Sequence, residues 1–135
     1  MTYSHYSNAH RFREAMGQPV HTDDMQVIDF QYDLIIEESN ELLDALQRGE
    51  HYEDFDDFSL NPFFSRPDAL KELADLVYVC YQFAASLGWN LDEALERVHE
   101  SNMTKLVDGK PLLSEDGKVL KGPNYQPPNL SDLVS

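Results

Sequence analysis

A segment over residues 67–87, whose middle is apolar on nearly every side, limits the folds open to this chain. Pro67 stands where proline is favoured, in the first turn of a helix, and Gly88 stands where helices commonly end. The apolar run at 77–81 would suit a strand, but the length of the segment and the pattern before it favour a helix. A helix buried on several faces needs partners, so we predict a place at the centre of a bundle or in a subunit interface.

Two helices are predicted before this segment. The first covers about residues 4–16 and is followed by Gly17 and Pro19, which end a helix and turn the chain. The second is predicted to begin at a Thr22 cap, with two acids in its first turn, and to end at Gly49. An apolar stripe along this second helix suits packing on another helix.

A fourth helix and a tail are predicted after this segment. Asn90 and Glu93 resemble a capping box that opens a helix over about residues 91–105. Residues 111–120 have the pattern of a small hairpin, and residues 122–128 are irregular. The expected fold is therefore all-α: a four-helix bundle with a small C-terminal hairpin and an irregular tail.

Length and charge restrict the possible partners. A chain of 135 residues is of ordinary size for one domain, so we predict a single domain over residues 1–135. The formal charge of −15 repels nucleic acid and anionic membranes, so neither is expected as a partner. A phosphorylated substrate would be repelled too, unless bound cations reverse the local field. The chain has no apolar stretch of spanning length, and we predict a cytoplasmic protein.

Two acidic motifs carry the candidate chemistry, EExxE at residues 37–41 and ExxD at residues 72–75. Residues three apart are neighbours on a helix surface, so each motif presents a close pair of carboxylates. Such pairs are commonly part of a solvated face, but apolar neighbours in both motifs favour a partly buried cleft. Carboxylates meeting there would repel unless hard divalent cations bound them, which predicts Mg²⁺, with Mn²⁺ able to substitute.

These motifs on consecutive helices resemble the MazG-like all-alpha nucleoside triphosphate pyrophosphohydrolases, which include phosphoribosyl-ATP pyrophosphohydrolase and dimeric dUTPase. Residues 12–20, 99–106 and 117–125 look like the short bacterial and phage members. The resemblance covers about residues 12–125 and implies a cytoplasmic protein of a bacterial cell or phage-infected host. It also agrees with a homodimer or homotetramer, which the apolar third helix suggests. The connection between the motifs, residues 42–71, is slightly longer than usual in the family.

The resemblance also implies roles for individual residues. Glu37 would position or deprotonate the attacking water, and Glu38 beside it would share in catalysis. Two or more metal ions per site would be held by Glu38, Glu41, Glu72 and Asp75. The substrate would be contacted by Asn102, Lys105, Lys118, Lys121 and Tyr125.

The predicted reaction is hydrolysis of a ribo- or deoxyribonucleoside triphosphate to the monophosphate and pyrophosphate. The resemblance implies attack at the α phosphorus and a role in nucleotide-pool control, and a purine, guanine in particular, is the predicted base. Phosphoribosyl-ATP is the alternative substrate.

Two other classes of protein share single features with this sequence. A di-iron carboxylate bundle needs two ExxH elements, and only Glu96 with His99 forms one at a convincing position. An acidic interaction protein or DNA mimic would suit the charge and the acidic run at residues 50–57. Mimicry needs acids spread along a surface, whereas the two motifs cluster them.

Residues 50–66 break the helical period and are predicted to form a loop. The sequence is compatible with two roles for this loop. The loop either acts as a lid over the site, or it is a tethered surface loop with Phe63 and Phe64 in the core.

Overall fold

The computed structural model describes residues 2–49 and 59–134. Within these ranges the protein contains four α-helices and one 3-10 helix, and no strand. The predicted fold class, all-α with four helices and a C-terminal tail, is confirmed. Two compact units are present, Met1–Gly88 and Trp89–Ser135. The single domain over residues 1–135 stays a prediction.

The first helix, α1, covers His5–Ala15, close to its predicted limits. The Ser4 hydroxyl caps it by accepting a hydrogen bond of 3.1 Å from the backbone N–H of Ser7. Gly17 follows its end with φ of 67°, a left-handed conformation that favours glycine. The helix therefore ends where the sequence predicts.

The second helix, α2, covers Met25–Gln47. The predicted cap at Thr22 is wrong, because the Asp24 carboxylate accepts the capping bond from Gln26 N at 2.9 Å. The backbone N–H of Thr22 instead donates to Ser86 O at 2.8 Å. This long-range bond holds Thr22 outside the helix. The two predicted first-turn acids, Asp23 and Asp24, therefore precede the first turn.

The third helix, α3, covers Arg66–Leu87 and packs on both α1 and α2. Its cap is Ser65, and it starts one residue before Pro67. Gly88 ends it with φ of 77°. Among the described residues of this unit, the buried apolar side chains are Ala9, Ala69, Tyr81, Ala84 and Ala85.

The outer face of α3 leaves large apolar side chains uncovered. Leu70 is 66% exposed, and Leu73 and Val77 are each 46% exposed. This face matches the expectation of an apolar surplus on the third helix. Cys80 is half-buried, and burial raises the pKa of its thiol, in keeping with a structural cysteine. No helix in the two described ranges is both long and apolar enough to span a bilayer.

The second unit contains α4, Leu91–Met103, and the tail. Asn90 Oδ1 accepts from Glu93 N at 3.1 Å, which confirms the predicted cap. The hairpin is formed only as a turn, with Leu113 and Val119 paired as an isolated bridge. The tail ends in a 3-10 helix over Ser131–Leu133.

The predicted loop at 50–66 lies partly outside the described residues, since the structure describes the chain again from residue 59. Its lid role therefore stays a prediction. Phe63 is 51% exposed, so its placement in the core is wrong, whereas Phe64 is half-buried. The buried residue here is Asn61, whose Oδ1 accepts from Phe63 N at 2.9 Å.

Candidate active site

Carboxylates from two neighbouring helices meet in the first unit. Glu38 lies on α2, while Glu72 and Asp75 lie one turn apart on α3. One oxygen of each lies within 4.8 Å of the others. The structure therefore brings together three of the four predicted metal ligands, in the face-to-face arrangement that their spacing predicts.

The fourth predicted ligand, Glu41, lies one turn beyond Glu38 on α2 and is exposed. It is not among the three residues whose oxygens fall within that distance. It does interact with Glu38 strongly enough to affect the pKa of that carboxyl. Its role as a ligand stays a prediction.

The electrostatics of the cluster are unfavourable without a cation. Burial raises the pKa of Glu38, and a hydrogen bond with Glu41 and the charges of Glu41, Asp75 and Glu72 raise it further. The Oε2 atoms of Glu38 and Glu72 are buried and have no hydrogen-bond partner among the described residues. A donor set of carboxylate oxygens alone fits hard divalent ions such as Mg²⁺ and Mn²⁺.

Lys71 offsets part of this negative charge. Its Nζ lies 2.6 Å from Asp75 Oδ2 and 3.7 Å from Glu72 Oε1. The hydrogen bond to Asp75 is the main cause that raises the pKa of Lys71. We did not predict this residue, although its spacing of four from Asp75 is a signal for an ion pair on a helix.

A cavity of about 990 Å³ adjoins the cluster, between the end of α2 and the start of α3. Glu37, the predicted partner of the attacking water, is exposed and lines this cavity. Arg48 and Lys71 are the cationic side chains that line it within the described ranges. The rest of the wall is formed by Asn40, Glu41, Asp44, Ala45, Gly49, Ser65, Asp68 and Glu72.

The predicted substrate contacts all lie in the second unit, apart in sequence from the acidic cluster. Lys105 follows α4, and its backbone N–H donates to Asn102 O at 3.1 Å. Lys121 Nζ lies 4.9 Å from the centre of the Tyr125 ring, and Lys118 is exposed. The structure describes each unit by itself, so the roles of these residues stay predictions.

A buried polar group in the first unit was missed by sequence reasoning. Arg13, Gln31 and Gln82 are 1%, 3% and 3% exposed. A signal was present, because Gln31 precedes Glu38 by seven residues and Gln82 follows Asp75 by seven. Positions seven apart lie on the same face of a helix, two turns from each other.

Carboxylates shared by two paired helices in an all-helical protein are the mark of the MazG-like all-alpha class. Residues 9–102 match the family model described as phosphoribosyl-ATP pyrophosphohydrolase, more than half of the chain, and the chain belongs to this family. No curated protein matches the chain. Family membership supports the predicted class of activity, nucleotide pyrophosphohydrolysis.

Proposed function

We propose that this protein hydrolyses a ribo- or deoxyribonucleoside triphosphate to the monophosphate and pyrophosphate, with Mg²⁺ as cofactor and Mn²⁺ able to replace it. The observation that carries the proposal is the meeting of Glu38, Glu72 and Asp75 oxygens within 4.8 Å. Buried carboxylate oxygens without partners point to a cation as the missing counter-charge. The activity would serve control of the nucleotide pool.

The carboxylates of the cluster and Glu41 would hold two or more ions. When bound, these ions supply charge neutralisation at the phosphates and make a bound water more acidic. Glu37 lines the adjoining cavity and is placed to orient the attacking water and accept its proton. The water oxygen bonds to the α phosphorus, and the bond from that phosphorus to the oxygen bridging to the β phosphorus breaks. The electron pair leaves with pyrophosphate.

The large cavity is suited to the leaving group. Lys71 and Arg48 line it, and both belong to the few cations of a chain with 10 Lys and Arg against 25 Asp and Glu. Lys71 is exposed and already pairs with the acidic cluster, so its ammonium can reach either a carboxylate or a phosphate. From the second unit, further substrate contacts would come from Asn102, Lys105, Lys118, Lys121 and Tyr125.

The test is a panel of nucleotides incubated with Mg²⁺ or Mn²⁺, with separate assays for monophosphate, pyrophosphate and orthophosphate. We expect monophosphate and pyrophosphate in equal amounts, and no product after chelation of the metal. Orthophosphate as the primary product would overturn the proposal. Glu38→Gln should reduce turnover at least about 100-fold. Asp33→Asn, which removes one exposed charge from the same helix, is the matched control.

Phosphoribosyl-ATP is the second candidate substrate, because the matching family model carries its name. It belongs in the same panel, scored in the same way. A kcat/KM for phosphoribosyl-ATP far above that for every simple triphosphate would favour it.

We also propose that the protein is a homodimer or homotetramer. Support comes from the exposed apolar face of α3, where Leu70, Leu73 and Val77 border a cavity of about 420 Å³. Covering such a face with a second copy would remove apolar surface from water. Sedimentation at micromolar concentration should give a mass of two or four chains, and Leu73→Glu should lower it. A monomeric wild type would contradict this.

A further inference from the structure

Arg13 is a buried cation that has no acidic partner among the described residues. It is 1% exposed, and none of the carboxylates in the described ranges lies within ion-pair distance of its guanidinium. Its Nε donates to Pro19 O at 2.8 Å, and its Nη1 makes a long bond of 3.4 Å to Gln82 Oε1. Gln82 Nε2 in turn donates to Ala9 O at 3.4 Å. The hydrogen bonds that the guanidinium donates to the described residues therefore all go to neutral oxygens.

Gln31 is a buried amide whose oxygen has no hydrogen-bond partner in the described part of the chain. Its side chain is 3% exposed, and its Oε1 accepts no hydrogen bond within the described ranges. A buried carbonyl oxygen that has lost water and gained no donor is unfavourable unless a ligand supplies the donor. The amide therefore calls for a partner that carries an N–H or O–H group.

Both side chains line one cavity of about 280 Å³, between the end of α1 and the first half of α2. Apolar walls come from Pro19, Val27 and Phe30, and the last of these is 58% exposed. Such a volume can take one planar ring system but not a whole nucleotide. Exposed Phe30 offers a surface for stacking at the mouth.

The chemistry of the lining decides what kind of ring fits. Arg13 brings a guanidinium with five N–H groups to this lining, and Gln31 brings an unpartnered acceptor, so a ligand with a carbonyl oxygen and an N–H group matches them best. A free anion is disfavoured, since it has no donor for Gln31 Oε1 and the Asp24 carboxylate also lines the cavity. The Asp24 carboxylate is itself engaged, because it accepts from Gln26 N at 2.9 Å. A ring with C=O next to N–H matches the cavity.

We propose that this cavity binds the base of the substrate and selects bases with a carbonyl beside a ring N–H: guanine, hypoxanthine, uracil and thymine. Arg13 donates to the carbonyl oxygen, and Gln31 Oε1 accepts the ring N–H. Adenine and cytosine present an amino group and a ring nitrogen without hydrogen at the same edge. Arg13 would then face a donor, and Gln31 Oε1 would face an acceptor. The inference rests on the proposed function, because it names the substrate class for that site.

The distance between the cavity and the acidic cluster suits one nucleotide. Gln31 and Glu38 are seven residues apart on one face of α2, which corresponds to roughly 10 Å along the helix. Gln82 and Asp75 have the same separation on α3. A base at Arg13 and Gln31 would thus leave its α phosphate near the carboxylates. Its pyrophosphate portion would continue into the large cavity beyond them.

The first experiment uses the wild-type protein. We expect kcat/KM for GTP, ITP, UTP and dTTP to exceed that for ATP and CTP by at least about 10-fold. Phosphoribosyl-ATP should also be poor, because its base carries a ribose phosphate in place of a free edge. Equal rates for GTP and ATP, or for UTP and CTP, would overturn the inference while leaving the proposed hydrolysis intact.

Two variants test the named residues. Gln31→Met, close in size and without the amide, and Arg13→Lys, which keeps the charge, should each reduce the preference for carbonyl bases to about threefold or less, with measurable pyrophosphate release retained. Gln47→Met and Arg11→Lys are the matched controls and should keep the wild-type ratio. An unchanged ratio in both test variants would overturn the assignment of these residues.

Nucleoside binding to the wild type can be measured without catalysis, and the result does not depend on whether the variants fold. Without metal, guanosine or uridine at millimolar concentration should raise the melting temperature of the wild type, whereas adenosine and cytidine should not. Equal shifts for all four nucleosides, or none, would overturn the inference. Should no triphosphate be cleaved at all, the proposed function fails, and this measurement still decides whether the cavity selects its base.

Discussion

The ammonium nitrogen of Lys71 lies 2.6 Å from Asp75 Oδ2, one helical turn away on α3. The ammonium group of Lys71 thus supplies part of the positive charge that a divalent ion would bring to these carboxylates. Asp75 belongs to the cluster with Glu38 and Glu72, so a lysine and the proposed ion would compete for one carboxylate.

Replacement of Lys71 by Met should strengthen binding of Mg²⁺ or Mn²⁺ in the absence of nucleotide. The expected gain is roughly two- to fivefold at low salt, since an exposed ion pair contributes little and is screened. Isothermal titration with Mn²⁺ measures it. Lys110→Met, which removes an exposed lysine of the second unit, should leave the affinity unchanged. Weaker metal binding by the Lys71 variant would mean that the lysine assists the ion.

The metal-free protein should lose stability as the pH rises above the ordinary range of a glutamate. Glu38 has a higher pKa in the folded state than in the unfolded chain, so folding favours its protonated form. Its contribution is complete below about pH 4.3 and is lost as the pH rises through the raised value. Melting temperatures measured in chelator across this range should show the decline. Glu38→Gln should flatten it, and Glu115→Gln should not.

Gly88→Ala should destabilise the first unit more than Gly17→Ala. Both glycines have positive φ, 77° and 67°, so an alanine is strained at either position. At Gly88 the added Cβ would also collide with the His21 ring, whereas nothing lies within 4 Å at Gly17. The additional cost should be about 1–3 kcal/mol, measured by urea unfolding. Equal losses would show that the ring moves aside freely.

Asp132→Asn should loosen the end of the tail and leave the acidic cluster unaffected. The two Asp132 oxygens accept from Arg97 at 2.6 Å and 3.0 Å, and Arg97 also donates to Asn129 O at 3.1 Å. Arg97 lowers the pKa of Asp132, so the contact holds above the ordinary aspartate range and fails as the pH falls below it. Amide exchange at residues 129–133 should become roughly two- to fivefold faster. Glu115→Gln should cause no such change.

The helices could be predicted because their ends are encoded locally. Ser4 and Asn90 cap the residues that directly follow them, and Gly88 ends the helix that directly precedes it. The start of α2 could not be predicted in the same way. There the bond from Thr22 N to Ser86 O joins residues far apart in the chain, and it takes the predicted cap away from the helix.

The same distinction applies to the candidate site. Glu38, Glu72 and Asp75 were predicted because spacing within each helix places them on one face. Arg13 and Gln31 were not, since their importance follows from burial, and burial depends on which helices pack together. A polar residue in a sequence is ordinarily exposed, and only the folded chain shows that these two have lost their water.

The interval of two helical turns between Gln31 and Glu38 has an evolutionary consequence. In the proposed roles, the base contact Gln31 and the metal ligand Glu38 lie two turns apart on α2, and Arg13 lies on α1, so a substitution at a base contact can spare the carboxylates. Relatives could then differ in the base they prefer and keep the same acidic cluster, through substitutions at the positions of Arg13 and Gln31.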